Sequence, residues 1–231
     1  MNHQQHRSHN HPVRAAGFTI VELMIVVAVL GIIAGIAIPG FVHGRVAANE
    51  TAVIGSLRAI ATGQFKFKTL ALVDVNGNGA YEFGTMAEMT GEETLRGSAN
   101  EKLTPSILPM SLTDPDEEGR YVRHGYYFAL YLPDDAGLGL SGQVSGIDAD
   151  LAAEYWSLVA WPVQGNRGEA TFFINQQGEI VKNDDSVYHG TDSVPPAGAA
   201  LLGTSQPEEI QSTNLAINET GADGQIWTVV N

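Results

Sequence analysis

The sequence predicts an α+β protein in which a long N-terminal helix packs on an antiparallel β-sheet. Three observations support this: an apolar run near the N-terminus, an amphipathic continuation of that run, and a series of β-favouring segments after residue 120. The chain has 231 residues, with 12 Lys and Arg, 26 Asp and Glu, and no Cys. Its formal net charge of -14 argues against nucleic acid as a partner of the bulk protein. The lack of Cys excludes disulfides and thiolate metal sites.

The first predicted element is an apolar segment over residues 18–42, in which Glu22 is the only ionisable group. As a helix it would measure about 37 Å, which exceeds the hydrocarbon core of a bilayer at roughly 30 Å. Residues 1–17 contain two Arg, four His and no acid, so we expect this end to stay in the cytoplasm. A secretory signal peptide would have a shorter apolar region without an acid, and a plain signal anchor leaves Glu22 unexplained.

The residues around Glu22 carry a recognisable motif. Residues 17–23 read GFTIVEL, in which a hydrophilic leader ends in Gly and is followed by Phe, by Glu four residues later, and by an apolar helix. This motif resembles that of the type IV prepilin family, which includes type IV pilins and the pseudopilins of type II secretion. The resemblance implies a pilin-like fold and cleavage between Gly17 and Phe18, which removes the leader over residues 1–17. It also implies N-methylation of Phe18.

The same residues indicate how subunits would associate. A carboxylate in an apolar span is costly, and it marks a functional position with a partner nearby. Cleavage would create a positive amine on Phe18, which Glu22 of a neighbouring subunit can neutralise. Head-to-tail contacts of this kind do not close, and they produce filaments. Pro39 also fits the family pattern; the resemblance implies local unwinding there during packing, and a simple proline kink is the alternative.

We therefore expect a structural subunit of a type IV pilus-like filament. The alternatives are a pseudopilin of a type II secretion system and, in another class, a signal-anchored periplasmic binding or enzymatic domain. The expected partners are prepilin peptidase, other filament subunits, an inner-membrane assembly platform and, before assembly, the lipid bilayer. The head would lie in the periplasm and later in a cell-surface or periplasmic filament. We expect no enzyme, because three His remain after cleavage and no catalytic motif surrounds them.

Beyond Pro39 the apolar pattern becomes amphipathic. One helical stripe recurs at steps of seven, four, three and seven residues. Its members are Val46, Val53, Leu57, Ile60 and Phe67. The helix should therefore continue to about residue 72, so that residues 43–231 comprise its amphipathic half and a β-rich globular head.

The loop that follows matches the first half of a calcium-binding EF-hand loop, D-x-N-x-N-G. The predicted ligands are Asp74, Asn76, Asn78, the carbonyl of Ala80, and Glu82 directly or through water. Thr85 stands where the bidentate acid of the motif is expected. Two Asn-Gly steps also suit a tight turn without metal, because both residue types tolerate positive φ, so both interpretations stay open.

The head is predicted to be an antiparallel meander, because its short connections leave no room for parallel crossovers. The β-favouring segments cover residues 121–132, 155–161, 170–175, 179–182 and 225–230. One face of the sheet would pack on the helix stripe, and the other would meet solvent. Residues 184–224, rich in Gly, Pro, Ser and Thr, would form an excursion over the surface.

Overall fold

The structure, a computed structural model, describes residues 17–109, 115–142, 145–165, 169–185 and 187–230. The predicted leader, apart from Gly17, lies outside the described residues. The chain divides into two compact units, Met1–Gly44 and Arg45–Asn231. Its helices and antiparallel sheet confirm the predicted α+β fold.

Helix α1 runs over Ile20–Thr69 and contains Pro39. Among the described residues it is the one helix long and apolar enough to cross a membrane. It ends at Thr69, three residues earlier than the sequence predicts. The reason is local: the chain turns at Leu70, and Ala71 adopts the left-handed conformation with φ of 55°, which a continuing helix excludes.

In the second unit, the predicted stripe of α1 packs on one face of the sheet. Four of its five members are fully buried, and Val46 is partly buried. The buried members are Val53, Leu57, Ile60 and Phe67. Gln64 is also buried on this face, and its carboxamide donates to the Gly84 carbonyl at 2.7 Å and accepts from the Gly84 amide at 2.9 Å. Both polar atoms of the buried Gln64 side chain therefore have hydrogen-bond partners.

Within the described residues, eight strands form the sheet, and every named pairing is antiparallel. The strands are β1 (Tyr121–Arg123), β2 (Tyr126–Pro133), β3 (Gly139–Leu140), β4 (Ser157–Pro162), β5 (Thr171–Asn175), β6 (Ile180–Asn183), β7 (Glu219–Thr220) and β8 (Ile226–Val229). Their order is β1-β2-β4-β5-β6-β8-β7, with β3 paired to β2. Two short helices, α2 (Met86–Thr90) and α3 (Ala149–Ala152), lie in the connections. The predicted terminal strand corresponds to β8, which pairs with β6.

The segment predicted as a single strand over residues 121–132 is a hairpin instead. His124 and Gly125 have φ of 53° and 79°, and Arg123 pairs directly with Tyr126. Two consecutive positive φ angles define the tight turn whose twist matches that of the flanking strands. The usual signal for this turn is Asn-Gly or Asp-Gly, so the His-Gly step did not reveal it.

The prediction that one face of the sheet meets solvent is wrong. Strands β4 and β5 are buried along their whole length, so side chains on both faces are covered. The second face is covered by residues of the predicted surface excursion, which we call the C-terminal layer (residues 184–224). Its buried members are Tyr188, Ala197, Ala199, Ala200, Leu201, Ile210 and Ala216. Small side chains allow an irregular backbone to approach the sheet closely, and this explains why a segment without periodicity can complete a core.

The Asp223 carboxylate links the two ends of the C-terminal layer. The Tyr188 hydroxyl donates to its Oδ2 at 2.8 Å, and the Trp227 Nε1–H donates to its Oδ1 at 3.2 Å. Burial raises the pKa of Tyr188 above its ordinary value, and the hydrogen bond and charge of Asp223 raise it further. In a chain without Cys, these polar contacts hold the layer closed without a covalent bond.

Replacing Tyr188 by Phe should destabilise the head by about 1–2 kcal/mol at neutral pH, because Asp223 loses a donor. It should also reduce the alkaline sensitivity of the fold. The folded-state pKa of Tyr188 lies above the value of about 10 for an unfolded tyrosine, so its contribution is present below about pH 10 and is lost as the pH rises through the folded pKa. Thermal unfolding of the full chain in detergent, at neutral and at alkaline pH, measures both effects.

The control is Tyr81→Phe, since the side chain of Tyr81 is exposed. If Tyr188→Phe melts like Tyr81→Phe under both conditions, the link through Asp223 does not stabilise the layer.

Candidate processing and assembly site at the N-terminus of helix α1

The peptide bond between Gly17 and Phe18 lies in an exposed, non-helical segment that precedes α1. The Phe18 side chain is 92% exposed, and beyond the adjacent residues no atom of the described chain lies within 4 Å of the position that a Cβ on Gly17 would take. A peptidase binds its substrate backbone in an extended form, so this segment needs no local unfolding before cleavage. The structure therefore leaves the predicted cleavage position accessible.

Thr19 and Glu22 form a capping box at the start of α1. The Glu22 amide donates to Thr19 Oγ1 at 3.2 Å, while the Thr19 amide donates to Glu22 Oε2 at 2.9 Å. The Thr19 hydroxyl donates to the same Oε2 at 2.8 Å. Thr19 is thus the residue that fixes the first turn, and reciprocal bonds of this kind satisfy amides that the helix itself leaves unpaired.

The two oxygens of Glu22 consequently differ. Oε2 accepts both bonds from Thr19, whereas no donor within the described residues contacts Oε1. Glu22 is predicted from the sequence only as a partner for another subunit, and the role of Thr19 is an addition from the structure. The signal was present as the T-x-x-E spacing over residues 19–22, which is the sequence pattern of a capping box.

The first half of α1 presents apolar side chains to its surroundings around most of its circumference. Exposed members include Leu23, Met24, Ile25, Val26, Val27, Leu30, Ile32, Ile33, Ile36, Phe41 and Val42. A surface of this kind is typical of a helix that lies in lipid or among other helices. Pro39 lacks an amide hydrogen and cannot donate to the Gly35 carbonyl, yet α1 continues through it. Local unwinding at Pro39 on assembly stays a prediction.

The predicted calcium loop is exposed and closes on itself through hydrogen bonds. Both oxygens of Asp74 accept backbone amides at 3.1 Å, from Asn78 and from Gly79. The side-chain oxygens of Asn76 and Asn78 also accept backbone amides, and their NH₂ groups donate to one oxygen of Asp150 at 2.8 and 2.7 Å. Asp150 belongs to α3, and no motif or spacing predicts its contact with this loop.

Glu82, the last predicted ligand, faces the interior. The Val75 amide donates to its Oε1 at 2.8 Å, and its Oε2 lies 3.1 Å from Nη1 of Arg96. Nε of Arg96 also lies 3.1 Å from Glu88, so two buried carboxylates share one guanidinium. Burial raises the pKa of Glu82 above its ordinary value, although the Val75 amide and Arg96 oppose this. Glu82 is therefore not brought together with the exposed side chains of the loop.

Among the described residues, no group of three or more His, Cys, Asp or Glu side chains could hold a metal ion. Thr85, which replaces the expected bidentate acid, is the N-cap of α2 and forms a capping box with Glu88. The loop geometry is that of a satisfied turn, and calcium binding stays a prediction.

Known proteins match the two parts of the chain differently. Residues 13–38 match the family described as "Prokaryotic N-terminal methylation motif". The type IV major pilin protein PilA of Myxococcus xanthus is 44% identical over 54 residues, which cover 23% of this chain and 24% of that protein. The type IV narrow pilus major component PilA5 of Thermus thermophilus is 43% identical over 60 residues, 23% of this chain and 52% of that protein. Fimbrial protein Q of Moraxella bovis is 35% identical over 95 residues, which cover 39% of this chain and 56% of that protein.

These matches span between 24% and 56% of the lengths of those curated relatives. No solved structure matches the chain at a significant level. The methylation motif, the pilin relatives and the N-terminal helix place the chain in the type IV prepilin class, as the resemblance predicted. Separately, the chain belongs to the family described as "Protein of unknown function (DUF2950)", whose match covers residues 39–191 and thus more than half of the sequence.

Calcium binding at the loop has a direct test. If the loop binds the ion, millimolar calcium should raise the melting temperature of the full chain in detergent relative to chelator. At a hundredfold excess of calcium over Kd, the free energy of unfolding should increase by about 2.7 kcal/mol. Asp74→Ala and Asp150→Ala should each abolish the rise, whereas Asp192→Ala, which removes an exposed acid elsewhere, should preserve it. Equal melting temperatures with calcium and with chelator would contradict the prediction that the loop binds calcium.

Proposed function

We propose that the chain is a structural subunit of a type IV pilus-like filament, anchored by residues 18–42 in the inner membrane before assembly. The observation that carries the proposal is the position of Glu22, which lies on an apolar helix surface, with Oε2 bound by Thr19 and Oε1 without a donor among the described residues. A carboxylate so placed is costly in lipid unless a cation or a donor reaches it. Oε1 can therefore contact a second subunit while Oε2 keeps its hydrogen bonds to Thr19.

Cleavage after Gly17 would supply the matching cation. The new amine on Phe18 would lie one residue before the N-cap Thr19. The N-terminal end of a helix carries partial positive charge, so a cation there is unfavourable with respect to its own helix. An anion from a neighbouring subunit relieves this repulsion, and Glu22 of that subunit is the carboxylate within the apolar surface.

Repetition of this contact yields a filament. The amine of one subunit meets the carboxylate of the next, and each subunit retains one free group of each kind, so the contact is head-to-tail and does not close. The exposed apolar surface of the first half of α1 then exchanges lipid for neighbouring helices. Pro39 interrupts the backbone hydrogen bonding of α1 where a local adjustment would cost least.

Support for this reading also comes from the named relatives, which are pilin or fimbrial proteins. A pseudopilin of a type II secretion system is the second candidate, since it shares the N-terminal features on which the proposal rests. Prepilin peptidase and an inner-membrane assembly platform are the proposed partners in either case. Electron microscopy of the cell surface separates the candidates, because a pilus extends from the cell and a pseudopilus stays in the periplasm.

Mass spectrometry of the mature chain tests the processing step. We expect the mature N-terminus at Phe18, with the added mass of one methyl group on its amine. Gly17→Leu, which places a branched side chain at the cleavage position, should leave the leader attached and the amine unmethylated. An intact N-terminus in the wild type, or cleavage well beyond Val42, would contradict the proposal.

Glu22→Gln tests the assembly contact. The amide keeps the shape and can still accept the Thr19 bonds, but it carries no charge for the Phe18 amine. We expect normal cleavage and membrane insertion, with filament yield reduced about tenfold or more because a desolvated amine is left unpaired. Filament mass in sheared and pelleted fractions, normalised to the mature chain in the membrane, measures the effect.

Thr19→Val is the matched control for the helix cap. It removes the hydroxyl bonds to Glu22 while leaving the carboxylate charged, so it should assemble better than Glu22→Gln. If Glu22→Gln assembles as well as the wild type, the charge is not the driving contact. If Thr19→Val fails as severely as Glu22→Gln, the cap rather than the charge is the essential feature.

A further inference from the structure

The charges of the head are unevenly distributed between its layers. Residues 45–231 carry 10 Lys and Arg against 25 Asp and Glu. Residues 45–69, the part of α1 in this unit, carry four bases and one acid, whereas residues 70–231 carry six bases and 24 acids. The helical layer is therefore basic on a head that is otherwise strongly acidic.

Two of the helix cations lie on a single exposed face. Arg58 and Lys66 are eight residues apart, which places them about 12 Å apart along the axis and on the side away from the buried stripe. Thr62, between them, is exposed as well. Neither cation makes an ion pair within the described residues, whereas Arg96, Arg120 and Lys182 do. We call the exposed face over Arg58, Thr62 and Lys66 the basic helix face.

The acid-rich counterpart is the C-terminal layer, on the opposite side of the sheet. Side chains that alternate along the strands divide between two cores: Phe172 and Ile174 pack with α1, while Phe173 packs with the layer. The layer contains seven Asp and Glu and no Lys or Arg. Among its acids, Asp185, Asp192, Glu208 and Glu219 are exposed. The head thus has a basic face and an acidic face with the sheet between them.

We infer that the basic helix face is a docking surface for a second copy of this chain, and that it binds the acidic C-terminal layer of that copy. The inference rests on the proposed filament function and adds a contact between heads to it. Each head has 10 bases against 25 acids, a formal net charge of -15, so two heads repel each other when their acidic surfaces meet, because like charges in juxtaposition oppose association. The basic helix face offers the complementary surface.

The placement of the two faces also determines the symmetry of the contact. A self-complementary pairing would set the basic helix face against itself, with Arg58 and Lys66 opposite like charges. A pairing of opposite faces of the head leaves one face of each kind free, so it repeats without closing. Exposed ion pairs contribute little free energy singly, so their role is to set register and orientation between heads while the apolar helices supply the affinity.

Charge reversal of full-length chains in cells tests this surface. Arg58→Glu with Lys66→Glu should reduce filament yield at least about tenfold, because acidic faces then oppose each other. Lys102→Glu with Arg123→Glu changes the net charge equally at positions outside α1 and should leave the yield within about twofold of wild type. Adding Asp185→Lys, Asp192→Lys, Glu208→Lys and Glu219→Lys to the first double variant leaves three acids against four bases in the C-terminal layer, and it should restore filaments.

Crosslinking of wild-type filaments identifies the contact directly. A carbodiimide joins an amine to a carboxylate at zero length, so Lys66 should become linked to an acid of residues 184–224. Filaments grown from a mixture of isotopically light and heavy subunits show whether the linked peptides come from different copies. Lys66→Arg keeps the charge but lacks the amine, so it should assemble and lose this crosslink.

The outcomes separate this inference from the proposed function. Wild-type filaments together with an unaffected Arg58→Glu, Lys66→Glu variant would overturn the docking surface alone. A Lys66 crosslink confined to a single copy, or directed to acids outside residues 184–224, would overturn it as well. The absence of filaments from wild-type cells would overturn the filament function, and this inference with it.

Discussion

The apolar surface of the first half of α1 is the constraint on which the proposed function depends. Side chains from Leu23 to Val42 are exposed, and they must be covered by lipid or by other helices. Glu22, the single acid of this segment, is bound by Thr19 through one oxygen, and its other oxygen has no donor in the part of the chain that the structure describes. Lipid can cover the apolar surface, but it supplies no hydrogen-bond donor or cation to the carboxylate. A neighbouring subunit with a cation at the same level would therefore stabilise the Glu22 charge better than lipid does.

In the head, both faces of the sheet are covered by other parts of a chain that contains no Cys. One face receives the regular stripe of α1, and the other receives an irregular layer rich in Ala, Gly and Pro. Polar links such as Tyr188 to Asp223 fix that layer at its ends. The part of α1 in the head and the C-terminal layer also differ in charge, because the first is basic and the second is acidic. The proposed repeating contact between heads depends on this difference.

Features that depend on local pattern were accessible from the sequence, and features that depend on tertiary contacts were not. Periodicity predicted the buried stripe of α1, and the GFTIVEL motif predicted the resemblance to type IV prepilins. The hairpin at His124 and Gly125 escaped detection because His124 adopts a positive φ at a turn position that Asn or Asp usually occupies. The C-terminal layer was missed because small residues in an irregular backbone leave no periodic trace. Asp150 meets the loop at Asn76 from a position 74 residues away, and no spacing rule anticipates such a contact.

The most direct test of the central claim is a filament reconstruction by electron cryomicroscopy that resolves the N-terminal helices. We expect the chain to begin at Phe18 and Glu22 to lie within about 4 Å of the Phe18 nitrogen of a neighbouring subunit, the range of an ion pair. Thr19 should still cap the helix beside it. A filament in which Glu22 contacts only its own Thr19, with no amine of another subunit nearby, would contradict the proposed assembly contact.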